Sequence, residues 1–386
     1  MNYELSEDQA AFRDAARKFA QNSMAPCAAR WDAEHLFPKA LFVEAGSMGF
    51  MSLYAPVEAG GIGLSRLDST LVIEELAAGC TSTAAFVSIH NMAFNMLARH
   101  GSDLLRSEWS EALASGRKLA SYCLTEPGAG SDAGSLTTRA TRDGDTYVIN
   151  GSKCFISGAG ETDLLITMVR TGEPGPRGIS CIAIPADTEG VDYGKAEEKL
   201  GWHSQPTRTI SFENVRVPAT NLLADEGQGF KLAMEGLDGG RINIAACSVG
   251  AARACLDLSV SHVKERRQFG QALADFQNTQ FKLADMTTQL IASRQMIRLA
   301  ASKLDSDAPD KTSFCAMAKR FATDAGFQIC DEAIQLHGGY GYIREYPIER
   351  YFRDTRVHRI LEGTNEIMRL VIARHLLSEH HAGLLK

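Results

Sequence analysis

Apolar residues recur at helical spacing in the first third of the chain. Phe12, Ala16 and Phe19 fall on one face of a predicted helix, and residues 67–78 and 88–99 carry the same pattern. The pattern returns in the last third, where one predicted helix face holds Phe276, Leu283, Met286, Leu290 and Ile297. Both ends of the chain are therefore predicted to be helical.

The middle of the chain has the pattern of short strands. Four apolar runs follow one another without a helical period between them: residues 146–149, 153–157, 164–169 and 179–184. Asp143-Gly144 and Asn150-Gly151 are dipeptides typical of two-residue hairpin turns. The pattern predicts an antiparallel sheet or a small β-barrel, with a hairpin at each dipeptide.

These changes of pattern predict an α+β protein with several domains. We expect an N-terminal α-helical domain at residues 1–118, a central β domain at 119–228 and a C-terminal α-helical domain at 229–386. A chain of 386 residues is long enough for two or three domains.

The charge of the chain narrows the classes of function. It carries 40 Lys and Arg against 47 Asp and Glu, a net charge of -7, which argues against a nucleic-acid-binding protein. An anionic ligand would therefore need a local cationic site. No run of about 18 apolar residues occurs and no targeting segment is recognisable at the N-terminus. We expect a cytoplasmic protein with no membrane-spanning helix.

The nine cysteines are scattered, odd in number and free of C-x-x-C pairs. Most lie in apolar surroundings, which is typical of reduced, buried thiols. We expect neither disulfides nor a metal site.

Two segments with several glycines could approach a ligand closely. Residues 125–132, Thr-Glu-Pro-Gly-Ala-Gly-Ser-Asp, follow a predicted strand, and glycine would let their backbone lie against a ligand. They are not a dinucleotide-binding G-x-G-x-x-G motif, since Gly134 comes one residue too late and strands follow. Residues 337–341, His-Gly-Gly-Tyr-Gly, are typical of a helix end. An ordinary loop and an ordinary helix end are the alternatives.

Two further segments could bind an anion. Residues 238–241, Asp-Gly-Gly-Arg, interrupt a helical pattern, and two interior glycines cost about 1 kcal/mol each relative to Ala. That cost indicates that a ligand or another helix approaches the backbone, and Arg241 could bind an anion or form a surface salt bridge. Residues 265–270, Glu-Arg-Arg-Gln-Phe-Gly, form a basic turn that could bind phosphate or simply face solvent.

Glu362 lies directly before the last predicted helix. Thr364 is a suitable N-cap for that helix, with Glu366 in its first turn. A lone glutamate at such a place is usually a solvated surface residue. Desolvation would instead raise its pKa and make it a good general base.

Taken together and in this order, the segments resemble one family, the flavin-dependent acyl-CoA dehydrogenases. The resemblance spans the chain and rests on five separated motifs, at residues 122–132, 155–157, 266–270, 335–341 and 361–366. It implies a helical domain, a β-barrel-like domain and a C-terminal four-helix bundle, assembled as a homotetramer that is a dimer of dimers. It also implies FAD as cofactor, an acyl-CoA substrate, an electron-transferring flavoprotein as electron acceptor, and no nucleic-acid or membrane partner.

The resemblance also implies roles for matching residues. FAD contacts are implied for Tyr122, Cys123, Leu124, Thr125, Gly130, Ser131, Phe155, Ile156, Ser157, Arg266, Gln268, Phe269, Phe276, Gln277, Gln335, Leu336, His337, Gly338, Gly339, Thr364, Asn365 and Glu366. Substrate contacts are implied for Ser131, Asp238, Arg241, Leu361 and Gly363. Arg266, Gln268 and Phe269 would come from the neighbouring subunit, with Arg266 on the diphosphate.

Two positions in this family can carry the catalytic base. One subgroup has a glutamate where this chain has Gly240, whereas the other position is Glu362. The resemblance therefore implies that Glu362 removes the α-proton while FAD accepts the β-hydride. Leu361 stands where many straight-chain relatives have Tyr, which we interpret as room for a methyl branch at Cα.

A closer likeness points to the branch of the family that acts on short branched acyl chains. It is carried by residues 88–92, 158–161, 175–181, 201–208 and 239–243. It implies oxidation of isobutyryl-CoA to methacrylyl-CoA, a step of valine breakdown. The alternative substrates are 2-methylbutyryl-CoA and butyryl-CoA. An oxygen-using flavoprotein and a non-catalytic acyl-CoA-binding protein of the same fold are less favoured interpretations.

Overall fold

The first third of the computed structural model, which describes residues 4–378, is helical. Its α-helices are α1 Glu7–Phe19, α2 Ala25–Ala33, α3 Lys39–Ser47, α4 Arg66–Gly79, α5 Thr81–His100 and α6 Asp103–Ala114. A π-helical turn at Ala20–Met24 joins α1 to α2. The predicted helix at 67–78 is confirmed as α4, and the one at 88–99 is the second half of the longer α5.

The middle third forms one mixed sheet of eight strands. The strands are β1 Ala120–Cys123, β2 Arg139–Asp143, β3 Thr146–Ser157, β4 Leu164–Arg170, β5 Ile179–Pro185, β6 Val191–Tyr193, β7 Thr207–Pro218 and β8 Leu222–Leu223. Their order across the sheet is β6-β7-β3-β2-β4-β5-β8, and β1 pairs with β4. Buried side chains such as Tyr147, Ile149, Leu165 and Phe212 form one core of this region.

The prediction of an antiparallel sheet needs a correction. Most neighbouring strands are antiparallel, but β1 runs parallel to β4, and β2 meets β4 in parallel at Arg139 and Arg170. Parallel neighbours need a long crossover connection. The chain between β1 and β4 contains the glycine-containing loop and the β2–β3 hairpin, and these provide it.

The prediction of two hairpin turns is half right. Asp143 pairs with Thr146 across a two-residue turn, which confirms the first hairpin. The prediction of a turn at Asn150-Gly151 is wrong, because these residues lie inside β3. The long strand β7 pairs with both halves of β3, and a register shift next to Gly151, at φ +143°, absorbs the irregularity as a bulge.

Long helices return in the last third. They are α7 Gly229–Glu265, α8 Gln277–Asp305, α9 Lys311–His337, α10 Ile348–Arg356 and α11 Asn365–Leu376, with a small hairpin of β9 Arg267–Gln268 and β10 Gln271–Ala272 between α7 and α8. Helix α7 is central, since it packs against α4, α5, α8 and α9. The predicted helix end is confirmed, because α9 stops at His337 and Gly338 follows with φ +59°. The predicted domain boundaries, after residues 118 and 228, fall in short connections and stay a prediction.

Helix α7 is long and apolar enough to cross a membrane by length and composition alone. However, 67% of its most apolar window is buried inside the protein. Core helices of globular proteins have the same character. No other helix among residues 4–378 meets the same test.

The cysteines are all free, and eight of the nine are buried. Burial in apolar surroundings raises the pKa of Cys123 to about 12, which makes its thiol unreactive. In the part of the chain that the structure describes, no group of three or more His, Cys, Asp or Glu could hold a metal ion.

Candidate active site

Glu362 lies in a left-handed turn between α10 and α11. Its φ is +57°, and that of Gly363 is +88°. This conformation is unfavourable for a residue with a Cβ and persists only where the surroundings hold it. Helix α11 begins directly afterwards, and the Thr364 hydroxyl accepts a hydrogen bond from the Ile367 N–H at 3.3 Å. The predicted N-cap is therefore confirmed.

The two interior glycines of α7 leave room for side chains from other elements. A methyl group on Gly240 would lie 2.2 Å from Glu362 Oε2, and one on Gly239 would lie 2.2 Å from Arg66 Nη2. Helix α7 nevertheless runs without a break. The close approach that the sequence indicated is thus made by a carboxylate and a guanidinium group, rather than by the backbone of another helix.

The carboxyl group of Glu362 is buried, although the residue as a whole is partly exposed. Among the described residues, Oε2 has no hydrogen-bond partner. Burial raises the pKa of this carboxyl to about 7, against the positive charges of Arg241, Lys319 and Arg66, which favour the ionised form. A carboxylate with a pKa near neutrality can accept a proton at physiological pH, as a general base must.

Arg241 connects the glycines of α7 to the Glu362 turn. Its Nη1 donates to Asp238 Oδ1 at 2.6 Å, and its Nε donates to the carbonyl oxygen of Glu362 at 3.4 Å. Thr312 donates to the other carboxylate oxygen of Asp238 at 2.6 Å. Asp238 and Arg241 are both about 5% exposed. The alternative of a surface salt bridge is therefore excluded, because the pair is internal.

The glycine-containing loop after β1 is held at its base by a buried ion pair. Lys153 Nζ lies 2.7 Å from Glu126 Oε1 and donates to the Leu124 carbonyl at 3.0 Å. Glu126 also accepts hydrogen bonds from the N–H groups of Thr137 and Thr138, at 2.6 and 3.0 Å. Despite burial, the charge of Lys153 lowers the pKa of Glu126 to about 2. The pair therefore fixes both ends of the loop.

The residues predicted to contact FAD near this loop differ in whether a ligand could reach their side chain or only their backbone. Cys123 and Ile156 point into the core of the sheet, so a ligand could reach only their backbone. The Tyr122 hydroxyl donates to the Ala233 carbonyl at 3.4 Å. Phe155, by contrast, is 67% exposed and has φ +56°.

The loop itself is more open than its base. The Leu124 side chain is buried, and the Thr125 carbonyl accepts a hydrogen bond from the Cys154 N–H at 2.9 Å. Gly130 and Ser131 are exposed, and a Cβ on Gly130 would meet open space. The Ser157 carbonyl accepts a hydrogen bond from the Ser121 hydroxyl at 2.7 Å.

A second group of predicted residues meets beyond the C-terminal end of α7. Arg266, Gln268 and residues 335–339 are among the residues that line a cleft of about 460 Å³. The Arg266 guanidinium lies 5.6 Å from the centre of the Tyr340 ring. Cβ atoms on Gly338 and Gly339 would meet open space. An arginine beside such an open backbone suits a phosphate group.

The hairpin of β9 and β10 carries an aromatic ring into solvent. Phe269 is 93% exposed, has φ +53°, and lies with its ring 6.4 Å from that of Phe276. Gln277 is exposed at the start of α8.

The residues on either side of Glu362 also differ in whether their side chains are buried or exposed. Asn365 uses its side chain inside the protein, since Lys319 Nζ donates to its Oδ1 at 3.0 Å and its Nδ2 donates to Asp324 Oδ1 at 3.0 Å. Glu366 is exposed. Leu361 is partly buried and packs against the large core of the N-terminal helices.

Sequence models of one family cover most of the chain. The acyl-CoA dehydrogenase N-terminal, middle and C-terminal domain models match residues 6–117, 121–215 and 227–377. The chain belongs to the acyl-CoA dehydrogenase family. As a member, it is an FAD-dependent oxidoreductase.

Individual acyl-CoA dehydrogenases are similar over nearly the full length. The chain is 53% identical to mitochondrial isobutyryl-CoA dehydrogenase of Dictyostelium discoideum, over 98% of this chain and 91% of that protein. It is 52% identical to the Bos taurus isobutyryl-CoA dehydrogenase, over 97% and 90%. The structure of butyryl-CoA dehydrogenase from Megasphaera elsdenii has a TM-score of 0.94 and 38% identity, covering 98% of this chain and 100% of that one.

Sequence reasoning missed two cations beside Glu362 in this acyl-CoA dehydrogenase. Arg66 begins α4 and stacks on the Tyr54 ring, 3.6 Å from its centre, and Lys319 lies fully buried on α9. Lys319 was detectable, because it shares a helix face with the buried Cys315 and Ala322, where a charged residue is unusual. Arg66 gives no such signal, since its partners lie far away in the sequence.

Proposed function

We propose that this protein oxidises isobutyryl-CoA to methacrylyl-CoA in valine breakdown, with Glu362 as the base. The observation that carries the proposal is the state of the Glu362 carboxyl group. It is buried, one oxygen lacks a partner among the described residues, and its pKa is raised to about 7. The α-proton of a thioester is only weakly acidic, so its removal needs a base of this strength. The names of the Dictyostelium and Bos relatives support the choice of acyl group.

The residues around Glu362 suit proton removal from Cα. The absent side chain of Gly240 leaves room for the carboxylate, and Arg241 holds the turn through the Glu362 carbonyl. The Glu362 N–H is the group that would bond the thioester oxygen as negative charge develops there. FAD, when bound, supplies the acceptor for the hydride that leaves Cβ.

The open backbone at Gly338 and Gly339 and the nearby Arg266 side chain fit FAD. Arg266 has no ion-pair partner among residues 4–378, and it lines the same cleft as the open backbone of Gly338 and Gly339. This set suits a diphosphate. The residues that we propose to hold the cofactor are Tyr122, Cys123, Leu124, Thr125, Gly130, Ser131, Phe155, Ile156, Ser157, Arg266, Gln268, Phe269, Phe276, Gln277, Gln335, Leu336, His337, Gly338, Gly339, Thr364, Asn365 and Glu366.

The length of α7 supports a flavin site shared between subunits. Arg241 and Glu265 lie on this one helix, about 36 Å apart at 1.5 Å per residue. One dinucleotide does not span that distance. We infer that a neighbouring subunit brings Arg266, Gln268 and the exposed Phe269 to the flavin beside Glu362, within a homotetramer that is a dimer of dimers.

The electron acceptor and the location complete the proposal. An electron-transferring flavoprotein as acceptor is supported by the family resemblance. Slow reoxidation of the reduced protein by air, and fast reoxidation by that acceptor, is the expected behaviour. A cytoplasmic location is supported by the free, buried cysteines, which are typical of a reducing compartment.

A substrate panel tests the proposed acyl group. The value of kcat/KM is expected to be highest for isobutyryl-CoA and lower for 2-methylbutyryl-CoA and butyryl-CoA. Ser131, Asp238, Arg241, Leu361 and Gly363 are the proposed substrate contacts. A higher value for one of the other two acyl-CoA esters would transfer the assignment to that ester. Oxidation of none of them would refute the assignment to these short acyl chains.

A further inference from the structure

A buried lysine lies under the turn that carries Glu362. Lys319 is fully buried on α9. Its Nζ donates to the Gly363 carbonyl at 2.7 Å and to Asn365 Oδ1 at 3.0 Å. No carboxylate among residues 4–378 lies within ion-pair distance of this ammonium group. A buried cation held only by neutral oxygens is costly, so it calls for a specific role.

The two acceptors of Lys319 belong to the strained segment itself. Glu362 and Gly363 are consecutive left-handed residues, and Lys319 binds the carbonyl of the second one. Asn365 extends the contact, since its Nδ2 donates to the Thr323 hydroxyl at 3.0 Å. The backbone of this turn therefore accepts hydrogen bonds from two helices, from Lys319 on α9 and from Arg241 on α7.

Lys319 differs from Arg241, but resembles Arg66, in having no ion-pair partner among residues 4–378. The charge of Arg241 is balanced by Asp238 at 2.6 Å, whereas Arg66 contacts the neutral Tyr54 ring and the Asn243 side chain. Five ionisable groups in the described part of the chain interact electrostatically with Glu362. They are Arg66 on α4, Tyr122 on β1, Arg241 and Cys247 on α7, and Lys319 on α9. Asp324, on α9, and Glu366, on α11, also act on Lys319.

We propose that Lys319 is a positioning residue for Glu362: it holds the left-handed turn in place and its charge keeps the carboxyl group ionised near neutral pH. This inference rests on the proposed function, in which Glu362 is the base. Removing a nearby cation disfavours the ionised carboxylate, so loss of the Lys319 charge is expected to raise the pKa of Glu362. Burial lowers the pKa of Lys319 itself to about 7, so its charge is sensitive to the same pH range.

Three substitutions separate the geometric role of Lys319 from its charge. Lys319→Met removes the donor and the charge, Lys319→Gln keeps a donor without charge, and Lys319→Arg keeps the charge. Lys282→Met is the matched control, because Lys282 pairs with Glu332 between α8 and α9 and does not contact the turn. Circular dichroism and FAD content check that each variant is folded and loaded.

The decisive readout is the pKa of the Glu362 carboxyl group. It is measured by infrared titration, with Glu362→Gln identifying the band, and again from the pH dependence of kcat/KM. We expect Lys319→Met and Lys319→Gln to raise this pKa by about one unit or more, and Lys319→Arg and Lys282→Met to leave it near the wild-type value. If Lys319→Met does not fold, Lys319→Gln and Lys319→Arg together still test the proposal.

An unchanged carboxyl pKa across the three Lys319 variants, with an equal loss of kcat in all of them, would overturn the inference and leave Lys319 a structural residue. The infrared titration needs no turnover. It therefore reports on Lys319 even if the wild-type protein oxidises no acyl-CoA, an outcome that would instead refute the proposed function.

Discussion

The carboxylate of Glu362 occupies the space that a side chain on Gly240 would need. A methyl group on Gly240 would lie 2.2 Å from Oε2 and 2.7 Å from the carboxyl carbon. Glycine inside a helix costs about 1 kcal/mol relative to Ala. The relationship explains why α7 carries glycine at position 240, because the turn before α11 can approach this part of the helix only if there is no Cβ there.

Gly240→Ala is expected to lower kcat by about 100-fold, because the new methyl group would displace the carboxylate and a misplacement of about 1 Å can cost that much. Steady-state kinetics on the FAD-loaded variant measure this loss. Gly236→Ala is the matched control on the same helix. Its Cβ would meet only the flexible Met92 and Met96 side chains, at 3.3 Å or more. The control should keep its activity, and a similar loss in both variants would contradict the explanation.

The pH dependence of catalysis should report the Glu362 carboxyl group. Burial raises its pKa to about 7, and only the ionised form can accept a proton. We expect kcat/KM for isobutyryl-CoA to rise through an apparent pKa near 7 and to level off above it. Measurement between pH 5.5 and 9 tests this. A rate that is already at its plateau at about pH 5.5 would show that the group is not buried in the free enzyme.

The same carboxyl group should make the protein less stable at high pH. Between the unfolded pKa of 4.5 and the folded pKa of about 7, the folded state binds more protons, so stability falls as pH rises. Glu362→Gln cannot ionise and is expected to be more stable than wild type by about 1–3 kcal/mol above pH 8. The two should be equal below about pH 4.5. Urea denaturation at both pH values measures the difference, and an equal gain at both would argue against this cause.

Leu361 is expected to set the preference for a branched acyl chain. The residue is partly buried directly before the base. Leu361→Tyr would fill the space that we assign to the methyl branch at Cα. The ratio of kcat/KM for isobutyryl-CoA to that for butyryl-CoA should then fall by about 10-fold or more, as expected for one methyl group in an apolar pocket. An unchanged ratio would remove Leu361 from the account of specificity.

Much of the fold could be predicted from patterns within short stretches. The helical spacing predicted α4 and α8, and the capping box of Ser6 and Gln9 is the kind of local signal that marks α1. The prediction of a turn at Asn150-Gly151 was wrong because an Asn-Gly pair is compatible with both a hairpin turn and a β-bulge. Only the distant strand β7, which pairs along both halves of β3, decides between them.

The site could be predicted only in part, because local motifs identify single residues but not the distant residues that contact them. Glu362 and Gly240 were identified from motifs, and the glycines of α7 indicated a close approach. The sequence could not say that the approaching groups are Glu362 and Arg66, because these contacts join α7 to elements far away in the chain. The Lys153–Glu126 ion pair was missed for the same reason, since it joins β3 to a loop 27 residues earlier.

The most direct test of the central claim is an anaerobic one. The purified protein, loaded with FAD, is mixed with isobutyryl-CoA while the flavin absorbance is followed, with Glu362→Gln in parallel. We predict fast bleaching in the wild-type protein and none in the variant, which would establish the α,β-dehydrogenation and its base together. Equal bleaching in both would contradict the role of Glu362, and no bleaching of the wild type with any acyl-CoA would contradict the dehydrogenase activity itself.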